Sequence, residues 1–112
     1  MNTINRLPRA ERSARMRNER ERKILEAAIE EAKRVGCRNF TRREIAARAG
    51  VADGSVNHAF GTLDALRDAV MRAAVAREIV SIIRQGLADG HPVAHSAPPG
   101  LIQLAMQPSP AG

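Results

Sequence analysis

The sequence predicts an all-α protein: a three-helix bundle built around a helix-turn-helix, followed by a long fourth helix and a short C-terminal helix or tail. Three observations carry that prediction. Between Thr41 and Phe60 lie two short helical patterns hinged at Gly50, the first opened by Thr41 and Glu44 at capping-box spacing. Upstream, Ile24, Ala28, Ala32 and Val35 recur at the spacing of one helix face. Downstream, Leu63, Leu66, Val70, Ala73 and Ala74 do the same.

Residues 1–19 form a basic arm. Up to Lys23, the residues Arg6, Arg9, Arg12, Arg15, Arg17, Arg20, Arg22 and Lys23 stand against Glu11, Glu19 and Glu21. This segment thus holds five of the net six positive charges in the 112-residue chain. Arg6, Arg9, Arg12 and Arg15 recur every third residue, which aligns them on one side if the arm is helical and lets them follow phosphates if it is extended. Such an arm strengthens binding to nucleic acid through counterion release and can place Arg in a narrow minor groove. The alternative is a solvated tail.

Residues 20–61 read as the helix-turn-helix domain. Its first helix runs from about Arg20 to Val35, carries Leu25 and Ile29 beside the apolar stripe, and stops at Gly36. Thr41 caps the second helix through its hydroxyl while Glu44 reaches back to the Thr41 amide. Gly50 takes the left-handed conformation that reverses the chain, and Val51 plugs the angle between the helices. The third helix, about Asp53 to Phe60, buries Val56, Ala59 and Phe60 and leaves Ser55, Asn57 and His58 free to meet a groove.

Residues 62–88 read as one long helix capped by Thr62 and running to about Leu87. Its apolar pattern rotates midway, so that Val75, Ile79, Ile82 and Ile83, with Leu87 close by, fall nearly opposite the first stripe. An uncovered apolar face marks an interface, and this one is expected to form a homodimer contact. The alternative is a kinked helix folding back on its own domain. Residues 89–112 read as a Pro/Gly-rich linker with one short apolar helix at about Leu101 to Met106, docked on the partner or on the dimer helix.

The segments ILEAAIEEAKRVG, FTRREIAARAGVADGS, NHAF and TLDALRDAV, within about Arg20 to Val70, resemble the DNA-binding domain of the TetR family of bacterial transcription regulators. That resemblance implies repressor-type activity and dimeric operator binding. It also implies phosphate contacts from Thr41 and Arg42 and a recognition helix containing Gly54, Ser55, Asn57 and His58. Ala52, Asp53, Asn57, Ala59 and Leu63 differ from the residues usual in the family. Its members usually continue for about another hundred residues into a domain that holds an inducer and forms the dimer. A complete chain of this length is therefore expected to work without a small-molecule pocket.

The expected partner is double-stranded DNA. A homodimer would place two recognition helices in successive major grooves about 34 Å apart on an inverted repeat. Asn57 is the preferred base reader, because its amide matches adenine N7 and N6. Ser55 contacts a base or a phosphate; His58, Thr41, Arg42 and Arg43 contact phosphate. Gly54, Thr62 and the arm residues Arg9, Arg12 and Arg15 complete the expected contact set. Asp53 either stabilises the helix N-terminus or accepts from a cytosine amino group.

Other chemistries find little support. The single Cys37 excludes an internal disulfide and fits a reducing cytoplasm, where a nucleoid-associated protein is expected. No apolar run approaches about 18 residues, so no membrane span is expected. His91 and His95 are four apart, but Pro92 and Pro98 interrupt the segment and no carboxylate or thiolate partner stands nearby to complete a metal shell. Neither a Gly-rich phosphate loop nor a nucleophile with its base and orienter can be identified, so no cofactor and no enzyme are expected. The competing class is a protein-interaction module that keeps the scaffold and binds another regulator through its apolar C-terminal half. Asp53, Ala59 and Leu63 are its best support.

Overall fold

Between Pro8 and Gly36 the sequence offers no glycine or proline, and the first helix occupies the whole interval. The computed structural model describes residues 8–108, and these form seven helices without a strand. Helix α1 spans Arg9–Val35, 27 residues, so it begins well before the expected start near Arg20. Most of the supposed arm is therefore a helix continuous with the body, and the extended alternative is not adopted from Arg9 onward. Its Arg-, Glu- and Ala-rich composition favours that outcome. At 1.5 Å per residue α1 is about 40 Å long, which explains most of the 51 Å principal extent of the molecule. Arg6 lies outside the described residues.

Only the second half of α1 enters the core, through Ile24, Ala27, Ala28, Ile29 and Ala32. Helices α2 (Arg42–Ala49) and α3 (Asp53–Phe60) pack across it with Ile45, Ala46 and Val56, and Phe40 fills the space beneath the start of α2. Helix α4 (Leu63–Arg77) closes this bundle with Leu66, Val70, Met71 and Ala74.

The expected long fourth helix is two helices. Glu78 adopts a left-handed conformation (φ 57°, ψ 45°), and the Ile79 amide donates back to the Ala74 carbonyl at 2.8 Å. A new helix, α5 (Val80–Ala88), then begins. A non-glycine residue in that conformation costs about 1–2 kcal/mol. The break is offset by what it permits: Ile82 and Ile83 lose all exposure, each worth about 1.5–3 kcal/mol of burial. The face assigned to a dimer is thus covered by the chain itself. Ile82 and Ile83 are core residues, while Val75, Ile79 and Leu87 are half-buried against the same core. The midway rotation of the apolar pattern records the break, not a second surface on one helix.

The expected linker is also largely structured. Helices α6 (Pro92–His95) and α7 (Pro99–Met106) cover α5 with Ala94, Leu101 and Ala105. Gly86 lets α5 approach closely, for a Cβ there would stand 2.6 Å from both the Ala94 Cβ and the Met71 Cε. The Gln85 side chain ties α5 to the end of α1, donating to the Ala32 carbonyl at 3.0 Å and accepting from the Cys37 amide at 2.9 Å. Arg84 donates to the Ala105 carbonyl at 2.7 Å and so satisfies the end of α7. Residues 109–112 of the predicted Pro-rich end lie outside the described residues.

Candidate nucleic-acid interface

The turn between α2 and α3 is built by backbone chemistry that the sequence announces. Thr41 Oγ1 accepts from the Glu44 amide at 3.2 Å and opens α2. Gly50 sits at φ 73°, ψ 34°, and the Val51 amide donates to the Ala46 carbonyl at 3.0 Å, which closes the helix in a left-handed cap. Only half of the capping box forms. The Glu44 carboxylate turns to Arg34 at 2.7 Å instead of to the Thr41 amide, because a full charge is a stronger partner than one amide.

That ion pair belongs to a network that fixes α2 on α1. Glu31, only 3% exposed, accepts two hydrogen bonds from Arg34, at 2.8 and 3.1 Å, and one from Arg48 Nε at 3.0 Å. Hydrogen bonding from Arg34 outweighs the opposing effect of burial, and with Arg48 it holds the Glu31 carboxyl below the usual carboxylate range. Sequence reasoning missed this hub. Its signal was the i,i+3 pair Glu31/Arg34, but nothing local points to Arg48 in the next helix.

On α3, Asp53, Gly54, Asn57 and His58 are exposed, and their spacing places them on one helix face, opposite the buried Val56. Ser55, expected to be free, is half-buried at the edge of that face. Ala52 gives α3 no side-chain cap, so Asp53 supplies the only acidic group in the first turn. At the start of α2, Thr41, Arg42 and Arg43 are all exposed. Thr62 is exposed but spends its hydroxyl on the Ala65 amide at 3.1 Å, capping α4. Arg9 and Arg15 are exposed on the outer half of α1, and Arg12 is half-buried.

Behind this surface, Arg67 of α4 braces the loop between α1 and α2. Its Nε donates to the Cys37 carbonyl at 2.8 Å, and its guanidinium lies 5.5 Å from the centre of the Phe40 ring. Cys37 is buried, and desolvation pushes its thiol up to about 11, which leaves it an unreactive thiol at neutral pH. His91 is engaged structurally. Its Nδ1 accepts from the Val93 amide at 3.2 Å, and its Nε2 lies 2.8 Å from Asp68 Oδ1. No cluster of three or more metal-binding side chains occurs among the described residues, and no helix among them is long and apolar enough to cross a membrane.

A pair of short helices joined at a left-handed glycine and braced on a longer one, with a polar exposed face on the second, defines a helix-turn-helix protein. Residues 24–70 match the family described as bacterial regulatory proteins, tetR family. Two proteins described as HTH-type transcriptional regulator BetI, from two strains of Escherichia coli, are each 32% identical over 92 residues. These alignments cover 82% of this chain and 43% of each relative, so the chain spans less than half the length of the curated relatives it matches. No solved structure matches it. The matched stretch holds the whole helix-turn-helix, and over it the chain is similar to the TetR family of transcription regulators.

Proposed function

We propose that the chain is a sequence-specific DNA-binding repressor that works in the cytoplasm on the nucleoid, with α3 as its recognition helix. The observation that carries this reading is the exposed face Asp53, Gly54, Asn57 and His58, presented by a capped helix-turn-helix within the family match. Asn57 reads a base edge, since its side-chain amide donates and accepts together. Thr41, Arg42 and Arg43 hold the phosphate backbone beside it, and His58 adds a polar contact at the groove edge. Half-buried Ser55, whose amide is spent on the Ala52 carbonyl at 2.9 Å, contributes its hydroxyl at the edge of that face.

Two copies acting on an inverted repeat complete the reading. Ile82 and Ile83 take no part in their contact, because each chain covers its own. The surface left for a second copy is the half-buried Leu87 with the exposed Leu104 and Met106 of α7.

Fluorescence anisotropy tests the proposal. A duplex from the gene's own upstream region is titrated against a shuffled duplex at about 50 and about 200 mM salt. A preference for the native duplex that survives the higher salt supports the reading. Equal affinities that collapse together would reduce the chain to a non-specific binder, and no binding would favour a protein-interaction module.

A further inference from the structure

The outer half of α1 is not uniformly basic. Arg9, Arg12, Met16, Arg20 and Lys23 are spaced three, four, four and three residues apart. At 3.6 residues per turn they fall within about a quarter of the helix circumference. Met16, Glu19, Arg20 and Lys23 line one groove together with Val51, the residue that leads from the turn toward α3. The face bearing these cations is therefore the face that looks onto the turn into the recognition helix. Arg15, Arg17 and Arg22 lie off this stripe, and Arg22 is paired with Glu19 at 2.8 Å.

We infer that this stripe is a second, sequence-independent DNA contact, a rigid cationic ridge that grips the phosphates of the duplex flanking the half-site read by α3. The inference rests on the DNA-binding reading above and adds where the extra contact falls and what it touches. An α-helix is about 10–12 Å wide, whereas the minor groove of B-DNA is about 6 Å wide, so arginines carried on a continuous helix meet phosphates and do not thread the groove. From Arg9 to Lys23 the ridge covers about 21 Å at 1.5 Å per residue. That length matches about six base pairs at 3.4 Å each.

The test uses the full chain and a duplex from the gene's upstream region, trimmed to the shortest length that keeps its preference over a shuffled duplex. The same core is then flanked by about six random base pairs on each side, the length of the ridge. The wild type should bind the flanked duplex more tightly than the trimmed one. Replacing the exposed stripe residues (Arg9→Ala, Arg20→Ala, Lys23→Ala) should abolish that gain and flatten the log affinity against log salt slope by about 0.9 for each lost phosphate contact, while the preference for the core persists. A control of equal charge at exposed residues off the stripe (Arg17→Ala, Arg22→Ala, Lys33→Ala) should keep most of the gain; circular dichroism checks that α1 is intact in both.

Indifference of the wild type to the flanks would overturn the inference, as would equal losses from the two triple variants. Failure of every duplex to bind would overturn the DNA-binding reading itself.

Discussion

The two ends of the molecule are held together by different means. The helix-turn-helix rests on local devices that can be read one residue at a time: the Thr41 and Thr62 caps and the left-handed Gly50. The α5–α7 cap rests on long-range fits, namely the approach at Gly86, the Gln85 bridge to α1 and the burial of Ile82 and Ile83. The first region is specified by backbone chemistry near in sequence, the second by packing between elements far apart in it. Substitutions should therefore fail differently in the two regions.

The largest effect belongs to the cap. Ile83→Ala should lower stability by about 2–5 kcal/mol through a cavity. Because Ile83 is buried within its own chain, the loss in denaturant titrations should not vary with protein concentration. A loss that shrinks as concentration rises would restore the dimer-face assignment. Next, Gly86→Ala should cost roughly 1–3 kcal/mol, since its Cβ must displace Met71 and α6. A gain in thermal stability there, as ordinary helix propensity would give, would show that the close approach of α5 is not needed.

Glu31→Gln probes the link between α1 and α2 and should cost about 1 kcal/mol at neutral pH. Its sign with pH is fixed by the lowered carboxyl of Glu31. The stabilisation is fully present above the unfolded value of 4.5 and is lost as pH falls through the lower folded value. Thermal melts between neutral pH and about 3 should show a shallower acid loss in the variant than in the wild type. Parallel curves would mean that the Arg34 and Arg48 bonds do not discriminate the charge state of Glu31. The smallest effect is a gain: Glu78→Gly relieves the left-handed residue between α4 and α5 and should stabilise by about 0.5–1 kcal/mol.

Legibility in the sequence follows the same division. The Thr41 hydroxyl cap, Gly50, the Thr62 cap and burial of Val56 were readable because each is signalled by its residue type within four positions. The extension of α1 to Arg9 was hidden by its charge, which reads equally as a solvated arm; the absence of any breaker after Pro8 was the signal available. The end of α4 at Arg77 carries no glycine or proline, so Glu78 looks like an ordinary helical residue. Only the gain from burying Ile82 and Ile83 explains it, and that requires the three-dimensional partner. The α3 surface was legible for Asn57 and His58, whereas Ser55 sits at the boundary where a one-residue difference in helix rotation decides exposure.

The central claim is that α3 reads bases while the start of α2 holds phosphate, and one pair of variants tests it directly. Affinity for the native upstream duplex and for its shuffled counterpart is measured side by side for Asn57→Ala and Arg42→Ala. Asn57→Ala should reduce the native-to-shuffled ratio by about 1–3 kcal/mol with folding unchanged, and Arg42→Ala should weaken both duplexes alike. Equal loss on both duplexes for Asn57→Ala would contradict the assignment of α3 as the reading helix.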